Sequence, residues 1–119
     1  MDWAPGGSIM TSVLDLAMGS WSPAKVIHGL EAEGGIPKVT AGRLTVLSTG
    51  EWVLPFWRER ALLSREGSAC SRLRGEESAG VLVSLDAGRS WEARGRVRSE
   101  ATWLIENAVV ELAPDHLLM

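Results

Sequence analysis

One turn pattern, written twice, constrains this chain more than any other feature. Residues 84–91 read Ser-Leu-Asp-Ala-Gly-Arg-Ser-Trp, and residues 12–21 carry a looser copy with Ser12, Asp15, Gly19, Ser20 and Trp21. An aspartate at the mouth of a turn accepts hydrogen bonds from backbone amides two or three residues on and holds the turn closed. Gly88 supplies the positive φ such a turn needs, the serine hydroxyls tie back to the backbone, and Trp91 lays an apolar lid over it. Folding alone thus accounts for Ser84, Asp86, Gly88 and Trp91, with no ligand required. In the earlier copy Asp15 stands one residue farther from its tryptophan, and the glycine has moved next to the hydroxyl. A chain that uses this device twice is committed to antiparallel hairpins.

The remaining strand signals agree. Arg43 to Trp57, "RLTVLSTGEWVLPFW", has two apolar arms around Ser48-Thr49-Gly50, the signature of a β-hairpin. Pro55 cannot donate to a ladder, so it needs an edge or a bulge. "GVLVSLDAGRSW" is a strand entering a turn. "WLIENAVVELAPDHLLM" reads as a strand, a turn at Ala113-Pro114-Asp115 and a return strand. Residues 64–78, polar and broken by glycine, read as a long loop. No segment holds a 3.6-residue apolar period over three turns, so the fold class is all-β.

Composition sets the outer bounds. With 45% hydrophobic and 23% charged residues and a net charge of −3, the profile is that of a globular domain. Acidic residues outnumber the basic ones clustered at Arg58, Arg60, Arg65, Arg72 and Arg74, which argues against nucleic acid as a partner. A single cysteine excludes an internal disulfide framework and fits a reducing compartment. No apolar run approaches the ~20 residues of a membrane span. The first ten residues do not resemble a secretory signal, which leaves the cytoplasm as the default expectation. His28 and His116 with one cysteine cannot form a zinc cage, and both read as surface or loop residues; no metal or cofactor is expected.

Ser-x-Asp-x-Gly-x-x-Trp is the Asp-box pattern. Around it stand, in order, "GSWSPAKVI", "GRLTVLSTGEWVLPFWRE", "SLDAGRSW" and "WLIENAVVEL". On these residues the chain resembles the sialidase (neuraminidase) superfamily, in its BNR-repeat branch of six-bladed β-propellers. The resemblance implies Asp-box hairpins between the third and fourth strands of four-stranded antiparallel blades. It implies that residues 1–119 form a partial propeller domain of about two blades, a fragment of a longer arrangement, since six such blades need roughly three times this length. The implied reaction is hydrolysis of a terminal acidic sugar of a glycoconjugate, with the isolated chain inactive. The alternative is a non-catalytic carbohydrate-binding or interaction propeller, or a truncated gene product.

The family's chemistry uses a tyrosine nucleophile rather than a carboxylate pair. A glutamate beside it acts as base, an aspartate as acid/base, and three arginines clamp the substrate carboxylate. By position, Glu106 matches that glutamate, on an inner strand where Glu106, Ala108 and Val110 would share a face; otherwise it is an ordinary carboxylate near a strand end. Arg58 and Glu59 either reach the cleft from the end of an inner strand or form a solvated pair. Trp57 either stacks on a sugar or packs within the blade. The chain has no tyrosine, and the branch's Asn-Lys-Pro is replaced here by Gly42-Arg43-Leu44. The nucleophile and the remaining clamp residues are expected on flanking blades.

Overall fold

Strand formation follows the apolar runs, and turn chemistry places each reversal. A computed structural model describes residues 7–29, 35–39, 42–60, 77–102 and 104–119, and these contain strands and turns but no helix. The strands are β1 (Ile9–Thr11), β2 (Leu14–Asp15), β3 (Ser20–Trp21), β4 (Lys25–His28), β5 (Gly35–Lys38), β6 (Thr45–Val46), β7 (Trp52–Arg60), β8 (Ser78–Ser84), β9 (Glu92–Val97), β10 (Val110–Ala113) and β11 (His116–Leu118). The protein is all-β, and every pairing among the described strands is antiparallel.

The centre is a five-stranded sheet in the order β5-β7-β8-β9, with β6 pairing the other end of β7. β6, β7, β8 and β9 therefore form an up-and-down meander of four consecutive strands. The β6–β7 turn has glycine at its tip, with Gly50 at φ 100°, where its amide donates to Leu47 O. Among the described residues, β5 pairs residues 57–60 of β7 and β6 pairs residues 52–53. Pro55 lies between these two pairings, directly opposite Val81 of β8 on the other side.

Two ribbons flank the sheet. β1–β2 and β3–β4 form one interrupted hairpin, joined where the Ser22 amide donates to Val13 O and the Ser12 hydroxyl to Ser22 O. Its inner end covers the sheet. Ile9 joins Phe56 and Leu82 in the core, with Ile27, Leu54, Trp91 and Ala93 packed against them. β10 and β11 form the second ribbon, turned at Pro114-Asp115 with Asp115 at φ 64°. It is fastened by Glu111, which accepts the Ser48 amide and hydroxyl at 2.8 and 2.6 Å.

Among the described residues one sheet exceeds two strands, and the first copy of the turn pattern ends a two-stranded ribbon. Three expectations change. Residues 104–109 are not a strand. Glu106 has φ 56°, which breaks the alternation, and the segment is instead tied across the sheet by Asn107 Nδ2 donating to Gly80 O. His28 lies on a strand and is half-buried, its ring edge-on to Phe56 at 5.1 Å between centroids, whereas His116 is on the surface as expected. Finally, Ser78 opens β8 rather than closing a loop; residues 61–76 of that expected loop lie outside the described residues.

Candidate functional site

The turn between β8 and β9 is built from two hydroxyls and one carboxylate. Ser84 is fully buried; its Oγ accepts the Gly88 amide at 2.8 Å and donates to Asp86 Oδ1 at 2.8 Å. Asp86 in turn accepts the Ser90 amide at 2.8 Å and the Ser90 hydroxyl at 2.6 Å. Ala87 and Gly88 both take positive φ, 55° and 85°. A Cβ at Gly88 would lie 2.9 Å from the Trp52 ring, so the glycine is required by space as well as by φ. Trp91 donates its Nε1–H to Gly88 O at 3.1 Å and is half-buried rather than fully covered.

This network shifts the titration of Asp86. The Ser90 hydroxyl first, then the Ser90 amide and the Ser84 hydroxyl, stabilise the carboxylate and hold its pKa far below the ordinary range. A depressed folded-state pKa contributes stability that is present above the unfolded value of about 3.9 and is lost as pH falls from there towards the folded value. Thermal unfolding followed from pH 7 down to about 2 should show this loss below about pH 4. Asp86→Asn should flatten that acid limb, and an unchanged limb would remove Asp86 as its cause.

The first copy uses the same principle with fewer bonds. Asp15 Oδ1 accepts the amides of Ala17 and Met18 at 2.9 and 3.0 Å, and Gly19 takes φ 62°. The two devices are connected: Lys25 Nζ donates to Arg89 O at 2.6 Å.

The residues singled out for chemistry are placed as follows. Trp57 is 4% exposed and packs within the sheet, so its face is not offered to a sugar. Arg58 is 6% exposed; its guanidinium lies 4.4 Å over the Phe56 ring, and Nη1 donates to Gly95 O at 3.3 Å. It is a part of the packing rather than one half of a solvated pair. The side chain of Glu59 lies outside the described residues. Glu106 is exposed at a bend. Its neighbour Asn107 reaches Gly80, the register partner of Phe56, which brings the Glu106 backbone to the same ladder as Arg58.

Sequence reasoning missed several positions. Ser90 is the principal partner of Asp86, and its place inside the octapeptide was a visible signal. Trp52 over Gly88 and Asn107 on Gly80 had none, because each contact joins segments distant in the chain. Glu77 is also buried, and its Oε2 accepts no hydrogen bond, as is true of Asn107 Oδ1. Among the described residues no three His, Cys, Asp or Glu side chains come together as a metal ion would require. No protein-family model matches the chain, and no curated protein or solved structure is significantly similar to it.

Proposed function

We propose that this chain is part of a sialidase-like β-propeller, in an enzyme that hydrolyses a terminal acidic sugar. One observation carries the reading. The Ser84–Trp91 turn joins the third and fourth strands of the β6-β7-β8-β9 meander, the position that the Asp-box resemblance implies. In this proposal Glu106 is the base that activates a tyrosine supplied by another blade. A phenol of pKa near ~10 needs such a neighbour to act as a nucleophile at neutral pH. An exposed carboxylate at a bend, anchored through Asn107, leaves its oxygens open to such a partner.

The engagement of Arg58 with Phe56 and Gly95 O favours a second reading, a propeller that binds carbohydrate without cleaving it. A fluorogenic sialoside separates the two. The chain alone should release no sugar. In a longer chain that adds tyrosine- and arginine-bearing blades, turnover is expected, and Glu106→Gln should lower it about 10²–10⁴-fold with an unchanged circular dichroism spectrum. Turnover unaffected by that change would remove Glu106 from the chemistry. Sugar binding without turnover in the longer chain would establish the second reading.

A further inference from the structure

We propose that Asn107 is a positioning residue for Glu106, a clamp that holds the Glu106 backbone in a left-handed conformation and so fixes where its carboxylate stands. The use of that carboxylate rests on the proposed function, whereas the clamp is a property of this chain by itself.

Two adjacent residues each carry a stability cost. Glu106 takes φ 56°, a region that crowds the Cβ of every residue but glycine. Ala87 and Asp115 share this conformation, but they lie in the β8–β9 and β10–β11 turns, where the reversal of the chain requires it. Glu106 joins no paired strands in that way; it stands at a bend four residues before β10. Beside it, Asn107 Oδ1 is buried and accepts no hydrogen bond, although a buried amide oxygen ordinarily finds a donor. Such departures persist where surrounding contacts over-determine them, and they gather at functional sites.

The contacts that over-determine this pair come from the other end of the amide. Asn107 Nδ2 donates to Gly80 O at 3.1 Å and lies 3.1 Å from Met119 Sδ. Gly80 belongs to β8, which is paired on both sides, so the anchor point is firm. Two residues after the amide, the Thr45 hydroxyl donates to Val109 O at 3.5 Å. The segment is thus pinned at Asn107 and Val109, and the chain bends at Glu106 to bring the amide to β8. Glycine at position 106 would take this φ without strain, but it would supply no carboxylate. A base gains from one fixed backbone, because proton transfer requires hydrogen-bond reach of a single hydroxyl.

Thermal unfolding of wild type, Glu106→Gly, Asn107→Ala and the double variant tests the clamp. Glu106→Gly should raise Tm by about 3–5 °C, because the left-handed strain is removed. In the Asn107→Ala background the same change should add less than about 1 °C, since the released backbone leaves the left-handed region. Asn107→Leu keeps the bulk of the amide without its donor and should behave as Asn107→Ala does, including where the alanine variant fails to fold. A gain from Glu106→Gly as large without the amide as with it overturns the clamp, and so does no gain in the otherwise wild-type chain.

The longer chain with tyrosine- and arginine-bearing blades tests the positioning role. There Asn107→Leu should lower kcat on the fluorogenic sialoside about 10-fold at unchanged KM. In a Glu106→Gln background it should lower kcat no further, because the amide acts through that carboxylate. An equal loss in both backgrounds, or turnover indifferent to Asn107→Leu, overturns the positioning role. A longer chain without turnover overturns the proposed reaction and the positioning role with it, while the melting cycle still decides the clamp.

Discussion

Replacing Gly80 with alanine is expected to destabilise the fold by about 3 kcal/mol, the range of overpacking at a site that cannot relax. Gly80 lies in β8 at the register shift opposite β9. An added Cβ would stand 2.6 Å from Gly95 O and 2.9 Å from Arg94 O, closer than such atoms approach in real structures. Both obstacles are backbone, so relief requires β8 and β9 to separate. The third neighbour, Arg58 Nη1 at 3.0 Å, uses the space that the missing side chain leaves to reach Gly95 O. Gly95→Ala is the matched comparison. It has open space around it but φ 74°, so only the left-handed strain of about 1–2 kcal/mol applies. Equilibrium urea unfolding of the two variants gives the answer directly. A Gly80→Ala cost no larger than that of Gly95→Ala would mean that the two strands are not held this close.

The second large effect is expected at Phe56, which is wholly buried between Ile9 and Leu82. Phe56→Ala should cost about 4 kcal/mol, combining lost transfer energy with the cavity left behind. For a domain of this size that corresponds to a fall in Tm of about 15 °C. The ring also carries the Arg58 guanidinium on its face and the edge of His28. Phe56→Leu should therefore still lose stability, although it conserves apolar bulk. A double-mutant cycle with Arg58→Met should return a coupling of about 0.5–2 kcal/mol for the cation–π contact. Zero coupling would leave Arg58 merely adjacent to the ring, and a Phe56→Ala midpoint within a few degrees of wild type would refute the assigned core.

The two experiments probe the same face of the sheet, and this bears on function. Arg58 stands in the register opposite Ser78, between Phe56 and the β9 backbone. A guanidinium held in that way contributes to packing through its stem and its charge. If the substrate carboxylate is clamped by arginines, as the proposed function requires, those arginines are supplied from elsewhere.

The sequence by itself determined the local architecture. The turns at Ser48-Thr49-Gly50, Asp86-Ala87-Gly88 and Pro114-Asp115 were legible because their hydrogen bonds and positive φ values lie within a few residues of one another. β7 and β8 were legible from apolar content. The tertiary structure alone decided which side of each element is covered. Trp91 and Trp21 occupy equivalent places in two copies of one pattern, yet Trp91 is half-buried and Trp21 is exposed, because β7 brings Trp52 to one turn and no described strand comes to the other. Alternation over residues 104–110 promised a strand, but the Asn107–Gly80 and Thr45–Val109 hydrogen bonds draw that backbone into an irregular path. The burial of Trp57 and Arg58 and the contact of His28 with Phe56 are of the same kind. Each depends on groups brought together from distant parts of the chain, and neither propensity nor periodicity within a short window carries that information.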